Sequence, residues 1–266
     1  MAYVDVNGLS LGYEEHGGKG DGRALVLLHG GLGSGDMFEP VLPALTENRR
    51  VLTVDLQGNG RTADIDRPFS FEAMADDVAA FIGRLGLERP DVMGYSLGGG
   101  VAFQVAARHP ALVRRLVLVS TPCKHEAWFP EVIAGMRSMS PDSAEMMKKY
   151  QAPPYQAYAR IAPRVEDWPS LVVRTGALVS CEYDWSALVA SISAPRLLAF
   201  ADADSISTAH MAEFYGLLGG GKRDAGWEGS GLPARPESQL AVLPGTTHYD
   251  IFMAPALLSA VNAFLR

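Results

Sequence analysis

Cysteine, excess positive charge and long apolar runs are all scarce in this sequence. Its 266 residues include two cysteines, Cys123 and Cys181, which are too few for a disulfide framework and lack metal-ligand spacing. We therefore expect reduced thiols, a cytoplasmic location, and neither a metal nor another cofactor. The formal net charge is −7, and no Lys/Arg stripe offsets it. This balance argues against nucleic acid and anionic membranes as partners.

Membrane insertion and secretion are disfavoured on similar grounds. No apolar run approaches the length of a membrane-spanning helix. The first residues have neither the basic segment nor the apolar core of a signal peptide. With 48% hydrophobic and 20% charged residues, the composition is typical of a globular protein with a substantial core. We expect a small molecule as the partner, and the sequence leaves open whether the protein is a monomer or a homodimer.

What the sequence does contain is a regular alternation of apolar strands and amphipathic helices. Alternating residues around Asn7-Gly8 predict an antiparallel hairpin over residues 3 to 15. Helical spacing predicts a helix that begins at Ser70 and stops at Gly86. Continuous apolar runs predict buried strands at 24–28, 51–54, 91–93, 116–119, 196–201 and 240–243. Strands separated by helices predict an α/β protein with a mostly parallel sheet and helices on both faces.

One region interrupts this alternation. Residues 122–193 contain no convincing strand and several helix candidates broken by prolines. The region follows the sixth core strand, so the sequence predicts a helical cap inserted into a core made of residues 1–121 and 194–266. The cap is expected to lie over the carboxyl edge of the sheet, where open α/β sheets bind their ligands.

The candidate nucleophile lies in Gly94-Tyr95-Ser96-Leu97-Gly98, between a short strand and a small-residue helix. This context predicts a nucleophile elbow, a tight turn that projects the Ser96 hydroxyl above the sheet. The turn requires positive φ at Ser96, which costs on the order of 1–3 kcal/mol. A second G-x-S-x-G match, at residues 8–12, lies in the predicted hairpin with no helix after it. We therefore interpret Ser10 as an ordinary strand residue.

A serine nucleophile needs a base within hydrogen-bond reach and a third group that orients the base. Of the six histidines, His248 follows the last predicted strand at the same sheet edge as Ser96, and it is our candidate base. Asp204, in the loop after the strand at 196–201, is our candidate acid, with Asp202 as the alternative. We expect a structural hydrogen-bonding role for His29.

Acyl transfer also requires N–H donors for the developing oxyanion. We expect one from Leu97, directly after the nucleophile, and one from Gly31, in the glycine turn after the first buried strand. Apolar and aromatic side chains near this edge are candidates to bind an apolar acyl group. The substrate contacts that we predict are Leu32, Tyr95, Trp128, Met136 and Tyr155.

Together these residues resemble the α/β-hydrolase superfamily, and the resemblance spans nearly the whole chain outside the predicted cap. It rests on His29-Gly30-Gly31, Gly94-Tyr95-Ser96-Leu97-Gly98, Asp204 and His248. Residues 56–64 and 243–250 are similar to a bacterial subgroup that includes esterases and N-acyl homoserine lactonases. Asn59 stands where that family often has His. An insertion at 219–238 separates acid and base more widely than usual and either borders the site or forms a surface loop.

The resemblance implies a serine hydrolase that cleaves carboxylic esters or lactones, including N-acyl homoserine lactones. Two other functions remain open: C–C bond hydrolysis or perhydrolysis on the same fold, and a non-enzymatic small-ligand receptor. Epoxide hydrolases and haloalkane dehalogenases are disfavoured because they need Asp in place of Ser96. Residues 216–223 approach a phosphate-binding loop, but Arg223 replaces the required Ser/Thr and the stretch follows a helix. No dinucleotide-binding fingerprint follows the first buried strand.

Overall fold

The computed structural model describes residues 1–18, 23–227 and 236–266. Within them, eight strands form one sheet in the order β1-β2-β4-β3-β5-β6-β7-β8. The strands are β1 (Ala2–Val6), β2 (Leu9–His16), β3 (Ala24–Leu28), β4 (Arg50–Val54), β5 (Asp91–Tyr95), β6 (Leu116–Val119), β7 (Arg196–Ala203) and β8 (Ser238–Thr247). β1 and β2 pair antiparallel, and β3 to β8 pair parallel. The predicted hairpin and the mostly parallel sheet are confirmed.

The helices cover both faces of this sheet. They are α1 (Leu42–Thr46), α2 (Phe71–Arg84), α3 (Leu97–Arg108), α4 (Pro130–Arg137), α5 (Pro141–Lys149), α6 (Pro153–Ile161), α7 (Trp168–Val179), α8 (Thr208–Leu217) and α9 (Pro255–Phe264). Helices α2, α3 and α8 pack on one face of the sheet, and α1 and α9 pack on the other. The predicted α/β fold class is thereby confirmed.

Strand β3 illustrates why the central strands read as unbroken apolar runs. Val26 and Leu28 belong to the core cluster on one face, whereas Leu25 and Leu27 belong to the cluster on the other. Successive side chains of a strand point to opposite faces, so a strand covered on both sides needs an apolar residue at every position. Burying each such side chain contributes roughly 1.5–3 kcal/mol.

Between β6 and β7 the chain forms helices α4 to α7, together with short 3-10 turns. Helices α5, α6 and α7 share a small core of their own, in which the Trp168 indole N–H donates to the carbonyl oxygen of Ala144 at 3.0 Å. Tyr158 packs against the same indole. This core gives the segment packing that is separate from the two clusters of the sheet.

The helical segment is fastened to the rest of the chain around Arg174 of α7. The Arg174 guanidinium pairs with the Asp64 carboxylate, donates to the carbonyl oxygen of Arg67, and lies over the Phe69 ring, 4.4 Å from its centroid. Arg164 donates to the carbonyl oxygen of Asp64 at 3.0 Å. A planar guanidinium satisfies several acceptors and one aromatic face at once, which makes this a specific attachment point.

The predicted insertion at 219–238 falls partly outside the described residues, because residues 228–235 are not among those that the structure describes. In the parts of the chain that are described, Cys123 and Cys181 are both free thiols. No helix in those parts has both the length and the apolar character needed to cross a membrane.

Candidate active site

The turn between β5 and α3 places Ser96 in a conformation that serine rarely adopts, with φ 53° and ψ −119°. The two flanking glycines make this turn possible. A Cβ at Gly94 would lie 2.1 Å from the carbonyl oxygen of Gly98, and a Cβ at Gly98 would lie 2.4 Å from the carbonyl oxygens of Leu28 and His29. Both positions exclude any side chain, so the turn is the strained strand-to-helix elbow that the motif predicts.

Three predicted side chains lie in one hydrogen-bonded chain. His248 Nε2 is 3.1 Å from Ser96 Oγ, and His248 Nδ1 is 3.0 Å from Asp204 Oδ1. His248 and Asp204 are both buried. Because Nδ1 faces a carboxylate, it carries the proton, and Nε2 is left as an acceptor for the Ser96 hydroxyl. The arrangement can therefore remove a proton from Ser96 and return it to a leaving group.

The structure distinguishes between the two candidate acids. Asp204 Oδ2 accepts hydrogen bonds from Ser120 Oγ at 2.6 Å and from the backbone N–H of Ala201 at 3.0 Å. Asp202 is exposed and accepts the backbone N–H groups of Gly245 and Thr246 at 3.0 and 3.1 Å. These two bonds hold the pKa of the Asp202 carboxyl below its ordinary value. Asp204 is thus the acid that contacts His248, and Asp202 stabilises the loop that carries this histidine.

Tyr95, directly before the nucleophile, also contacts His248. Its hydroxyl donates to the main-chain carbonyl oxygen of His248 at 2.6 Å, and the two ring centroids are 5.4 Å apart. Burial, followed by the nearby charges of Asp204 and Asp250, raises the pKa of Tyr95 well above its ordinary value. The phenol therefore stays protonated and remains a donor. On the other side, the Trp128 ring meets His248 edge to face at 5.4 Å.

His29 has the structural role that was expected. Its Nδ1–H donates to the carbonyl oxygen of Gly30 at 2.7 Å, and its Nε2 accepts the backbone N–H of Leu56 at 3.0 Å. Complete burial lowers the pKa of His29, although the charge of Asp55 opposes this effect. The neutral imidazole fixes the start of the glycine turn, in which Leu32 also has positive φ, at 56°. Gly31 lies next to it at the cavity wall.

Ser96 and His248 open into a cavity of about 470 Å³ with a mainly apolar wall. Its wall is formed by Gly31, Leu32, Tyr95, Ser96, Leu97, Trp128, Glu131, Val132, Gly135, Met136, Met139, Thr175, Val179, Ser205, His248 and Tyr249. Both predicted oxyanion donors and four of the five predicted substrate contacts belong to this wall.

The fifth predicted contact, Tyr155, is placed elsewhere. It packs edge to face on Trp168, at a centroid distance of 5.5 Å, in the small core of α5, α6 and α7. The physical reason is this packing within the helical segment, which leaves Tyr155 outside the cavity wall.

Sequence reasoning did not single out Glu131, Val132 or Thr175, which the structure adds to the wall. Val132 and Met136 are four residues apart on α4, so helical spacing indicated that their side chains lie on the same face of this helix. Thr175 of α7 covers the glycine turn, with its Cγ2 atom 3.3 Å from where a Cβ of Gly31 would lie. No local signal connects Thr175 with that turn, because the contact depends on how α7 packs over the sheet.

The remaining candidates lie away from Ser96. Of the other histidines, His16 contacts Thr53, His109 contacts Asp76, and His210 contacts Glu213 and the backbone N–H of Cys123, while His125 packs against the Tyr183 ring. Ser10 lies exposed in β2, as predicted for the second G-x-S-x-G match. Asn59, at the position where the family often has His, is buried and donates to the carbonyl oxygen of Gln57 at 2.9 Å.

Comparison with known proteins identifies the family. The model of the alpha/beta hydrolase fold family matches residues 23–157, which is about half of the chain. The chain therefore belongs to the α/β-hydrolase fold family. This agrees with the parallel sheet, the strained elbow and the hydrogen-bonded Ser, His and Asp described above.

Three known proteins are similar to this chain. RutD of Rhizobium rhizogenes, provisionally named a carbamate hydrolase, is 38% identical over 110 residues, 41% of this chain and 42% of RutD. The chain thus spans less than half the length of this curated relative. The enol-lactonase of Burkholderia xenovorans LB400 superposes with a TM-score of 0.72 at 21% identity, covering 99% of both chains. Est816, an N-acyl homoserine lactone degrading enzyme, gives 0.72 at 19% identity, covering 98% of this chain and 99% of its own. At such identities the two structures are evidence for the fold alone.

Proposed function

We propose that this protein is a serine hydrolase that cleaves carboxylic esters or lactones through an acyl-enzyme intermediate. The observation that carries the proposal is the unbroken chain from Asp204 through His248 to Ser96, with Ser96 at the mouth of a cavity. A hydroxyl, an imidazole and a carboxylate in this order are the arrangement that activates serine for acyl transfer.

In this mechanism the Ser96 oxygen attacks the substrate carbonyl while His248 Nε2 takes the Ser96 proton. Asp204 stabilises the resulting imidazolium and keeps it oriented. The backbone N–H groups of Leu97 and Gly31 bind the oxyanion, and each such donor is worth ~10²–10³ in rate. His248 then protonates the departing alcohol oxygen. A water molecule, deprotonated by the same imidazole, releases the acid from Ser96 in the second half of the reaction.

The shape and lining of the cavity bear on the substrate class. Leu32, Val132, Met136 and Met139 form an apolar wall that suits an acyl chain. We propose that residues 122–193 act as the cap that closes this wall over the acyl group, on a core of residues 1–121 and 194–266. N-acyl homoserine lactones combine an apolar acyl chain with a lactone, and the structural similarity to Est816 and to the enol-lactonase supports testing them first.

An active-site phosphonate probe tests the proposed nucleophile directly. We expect the wild-type protein to gain the mass of one phosphonyl group at Ser96, and Ser96→Ala to gain none and to lose ester hydrolysis. Ser10→Ala is the matched control, because it removes the serine of the other G-x-S-x-G match, and it should label and turn over like wild type. A wild-type protein that neither labels at Ser96 nor hydrolyses any ester or lactone contradicts the proposal.

The similarity to RutD makes carbamate hydrolysis a second candidate. The same triad can attack a carbamate carbonyl, although nitrogen donation makes that carbonyl less electrophilic. Comparing kcat/KM for the butyrate ester and the N-methylcarbamate of one phenol separates the two reactions, because the leaving group is then identical. A higher kcat/KM for the carbamate, despite its lower intrinsic reactivity, would assign carbamates as the substrates.

A further inference from the structure

The active-site cavity contains one charged side chain that the proposed chemistry does not use. Glu131 lies in the first turn of α4, is exposed to solvent and contributes to the same wall as Ser96 and His248. Glu131 forms no hydrogen bond or ion pair within the part of the chain that the structure describes. A substrate that fills the cavity therefore meets an unpaired carboxylate at its wall.

No cation of the described residues neutralises this charge at the cavity. The wall has neither lysine nor arginine. Of the basic residues on neighbouring elements, Arg160 pairs with Asp36 at 2.9 Å, Arg174 with Asp64, and Lys124 with Glu126 and Glu213, both at 2.8 Å. Arg137, on α4 itself, forms no ion pair in the described residues and does not contribute to the wall. The charges of Asp204 and Asp250, near Tyr95, are negative as well, and both raise the pKa of its phenol.

We propose that Glu131 is a specificity-determining residue that makes the site select uncharged or cationic esters and lactones over those carrying a carboxylate. This inference rests on the proposed function and deepens it by naming the charge of the substrate class. Glu131 is exposed, so water weakens the repulsion between its carboxylate and an anionic substrate, and the discrimination is on the order of two- to fivefold in kcat/KM. The cavity wall has no lysine or arginine that would offset this repulsion.

A carboxylate in the first turn of a helix also has an ordinary structural explanation. The macrodipole favours acidic residues at helix N-termini, and Glu131 follows Pro130 at the start of α4. The two roles have different signatures. A purely structural Glu131 affects thermal stability and treats substrates of every charge alike, whereas a specificity determinant changes the ratio of kcat/KM values between matched charged and neutral substrates.

The test uses two sets of matched esters. The first set comprises p-nitrophenyl esters of hexanoate, of adipate (monoester, anionic) and of 6-(trimethylammonio)hexanoate (cationic). The second pairs choline hexanoate with its neutral isostere, 3,3-dimethylbutyl hexanoate. The two sets place the charge on the acyl and on the alcohol side of the carbonyl. Wild type, Glu131→Gln, Glu131→Asp and Glu131→Lys are compared by the charged-to-neutral ratio of kcat/KM, which corrects for any general loss of activity.

We expect Glu131→Gln to raise the adipate-to-hexanoate ratio about two- to fivefold or to lower the choline ratio by a similar factor. Glu131→Lys should shift the same ratio further, and Glu131→Asp should retain the wild-type preference. Glu145→Gln is the control, because Glu145 is an exposed, unpaired acid on α5 that does not contribute to the wall. Ratios that stay unchanged in both sets in Glu131→Gln and Glu131→Lys overturn the inference. Absence of hydrolysis of every ester by wild type contradicts the proposed function itself.

Discussion

Asp202 and Asp204 show how strongly the role of a carboxylate depends on its immediate contacts. In a regular strand, two residues at this spacing point to the same face. The pairing of β7 with β8 is irregular between Ala201 and Ala203. After this irregularity Asp204 lies buried under His248, while Asp202 stays exposed and holds the backbone of Gly245 and Thr246. One carboxylate orients a base, and the other stabilises a loop.

This difference gives a prediction with a built-in control. Asp204→Asn should lower kcat by about 10⁴, because an amide facing Nδ1 favours the wrong imidazole tautomer and cannot stabilise the imidazolium. Asp202→Asn should leave kcat near wild type and lower the free energy of unfolding only slightly, since an exposed amide oxygen still accepts hydrogen bonds. Steady-state kinetics and urea unfolding measure both effects. Equal losses of kcat in the two variants would reverse the assignment.

His29 predicts a pH dependence of stability. Its folded pKa lies below the ordinary value because burial disfavours the cation. The unfolded chain therefore binds a proton that the folded chain excludes once the pH falls below about 6.5. The contribution of His29 to stability is complete above that pH and is lost as the pH falls through the folded pKa, by at most about 1.4 kcal/mol per pH unit.

Urea unfolding at a series of pH values between 7.5 and 4.5 measures this contribution. His29→Asn should be less stable than wild type at pH 7.5, yet lose less stability on acidification. His125 and His210 also have lowered pKa values owing to burial, but they are present in both proteins and cancel in the comparison. Parallel pH profiles for wild type and His29→Asn would contradict the assignment of the acid sensitivity to His29.

At the scale of single elements, the elbow between β5 and α3 depends on the absence of side chains. Gly98→Ala should lower the free energy of unfolding by about 3 kcal/mol or more, because its Cβ would overlap two backbone carbonyl oxygens that cannot move independently. Gly83→Ala is the matched control within α2, where nothing lies within 4 Å of the added Cβ. That substitution should stabilise the protein by about 0.5–1 kcal/mol. Urea midpoints of both variants test the contrast, and a Gly98→Ala variant as stable as wild type would contradict it.

The elements themselves were largely predictable. The strands of the core and helix α2 follow from apolar periodicity, and Ser70 caps α2 as expected, accepting the backbone N–H of Ala73 at 3.0 Å. The prolines between 122 and 193, which suggested breaks, also mark beginnings. Pro130, Pro141 and Pro153 are the first residues of α4, α5 and α6, because proline at the first helical position loses no hydrogen bond.

Sequence patterns did not predict which face each cap helix turns toward the sheet. Met136 and Tyr155 are both apolar residues on short amphipathic helices, yet only Met136 reaches the cavity. For the acid, the sequence favoured Asp204 but left Asp202 open, and the hydrogen bond between Asp204 and His248 distinguishes the two in the structure. Motifs that combine a local turn with a neighbouring strand and helix, such as the one at Ser96, carry their own structural context and were therefore predictable.

At the scale of the whole molecule, Arg174 joins the helical segment to residues 64–69, in the connection between β4 and α2. Arg174→Met should lower the free energy of unfolding by about 1–3 kcal/mol, because Asp64 and the Arg67 carbonyl then lose their shared donor. We expect a larger effect on KM than on kcat, since α7 contributes to the cavity wall while the triad belongs to the sheet. Arg137→Met on α4 is the control, as Arg137 is exposed and forms no ion pair in the described residues. Thermal unfolding and steady-state kinetics test both variants. A loss in kcat alone would contradict this division of roles.

Tyr95 and Ser96 are consecutive residues, and both form hydrogen bonds with His248. The Tyr95 phenol donates to the main-chain oxygen of His248, and the Ser96 hydroxyl contacts its ring. Because both contacts come from the elbow, the spacing between Ser96 Oγ and His248 Nε2 is set by the fold, before a ligand arrives. The part of the cavity wall that α4 and α7 form does not contribute to these two contacts. Under the proposed acyl transfer, substitutions in this wall would therefore change which acyl groups fit the cavity while leaving the contacts of His248 with Tyr95 and Ser96 in place.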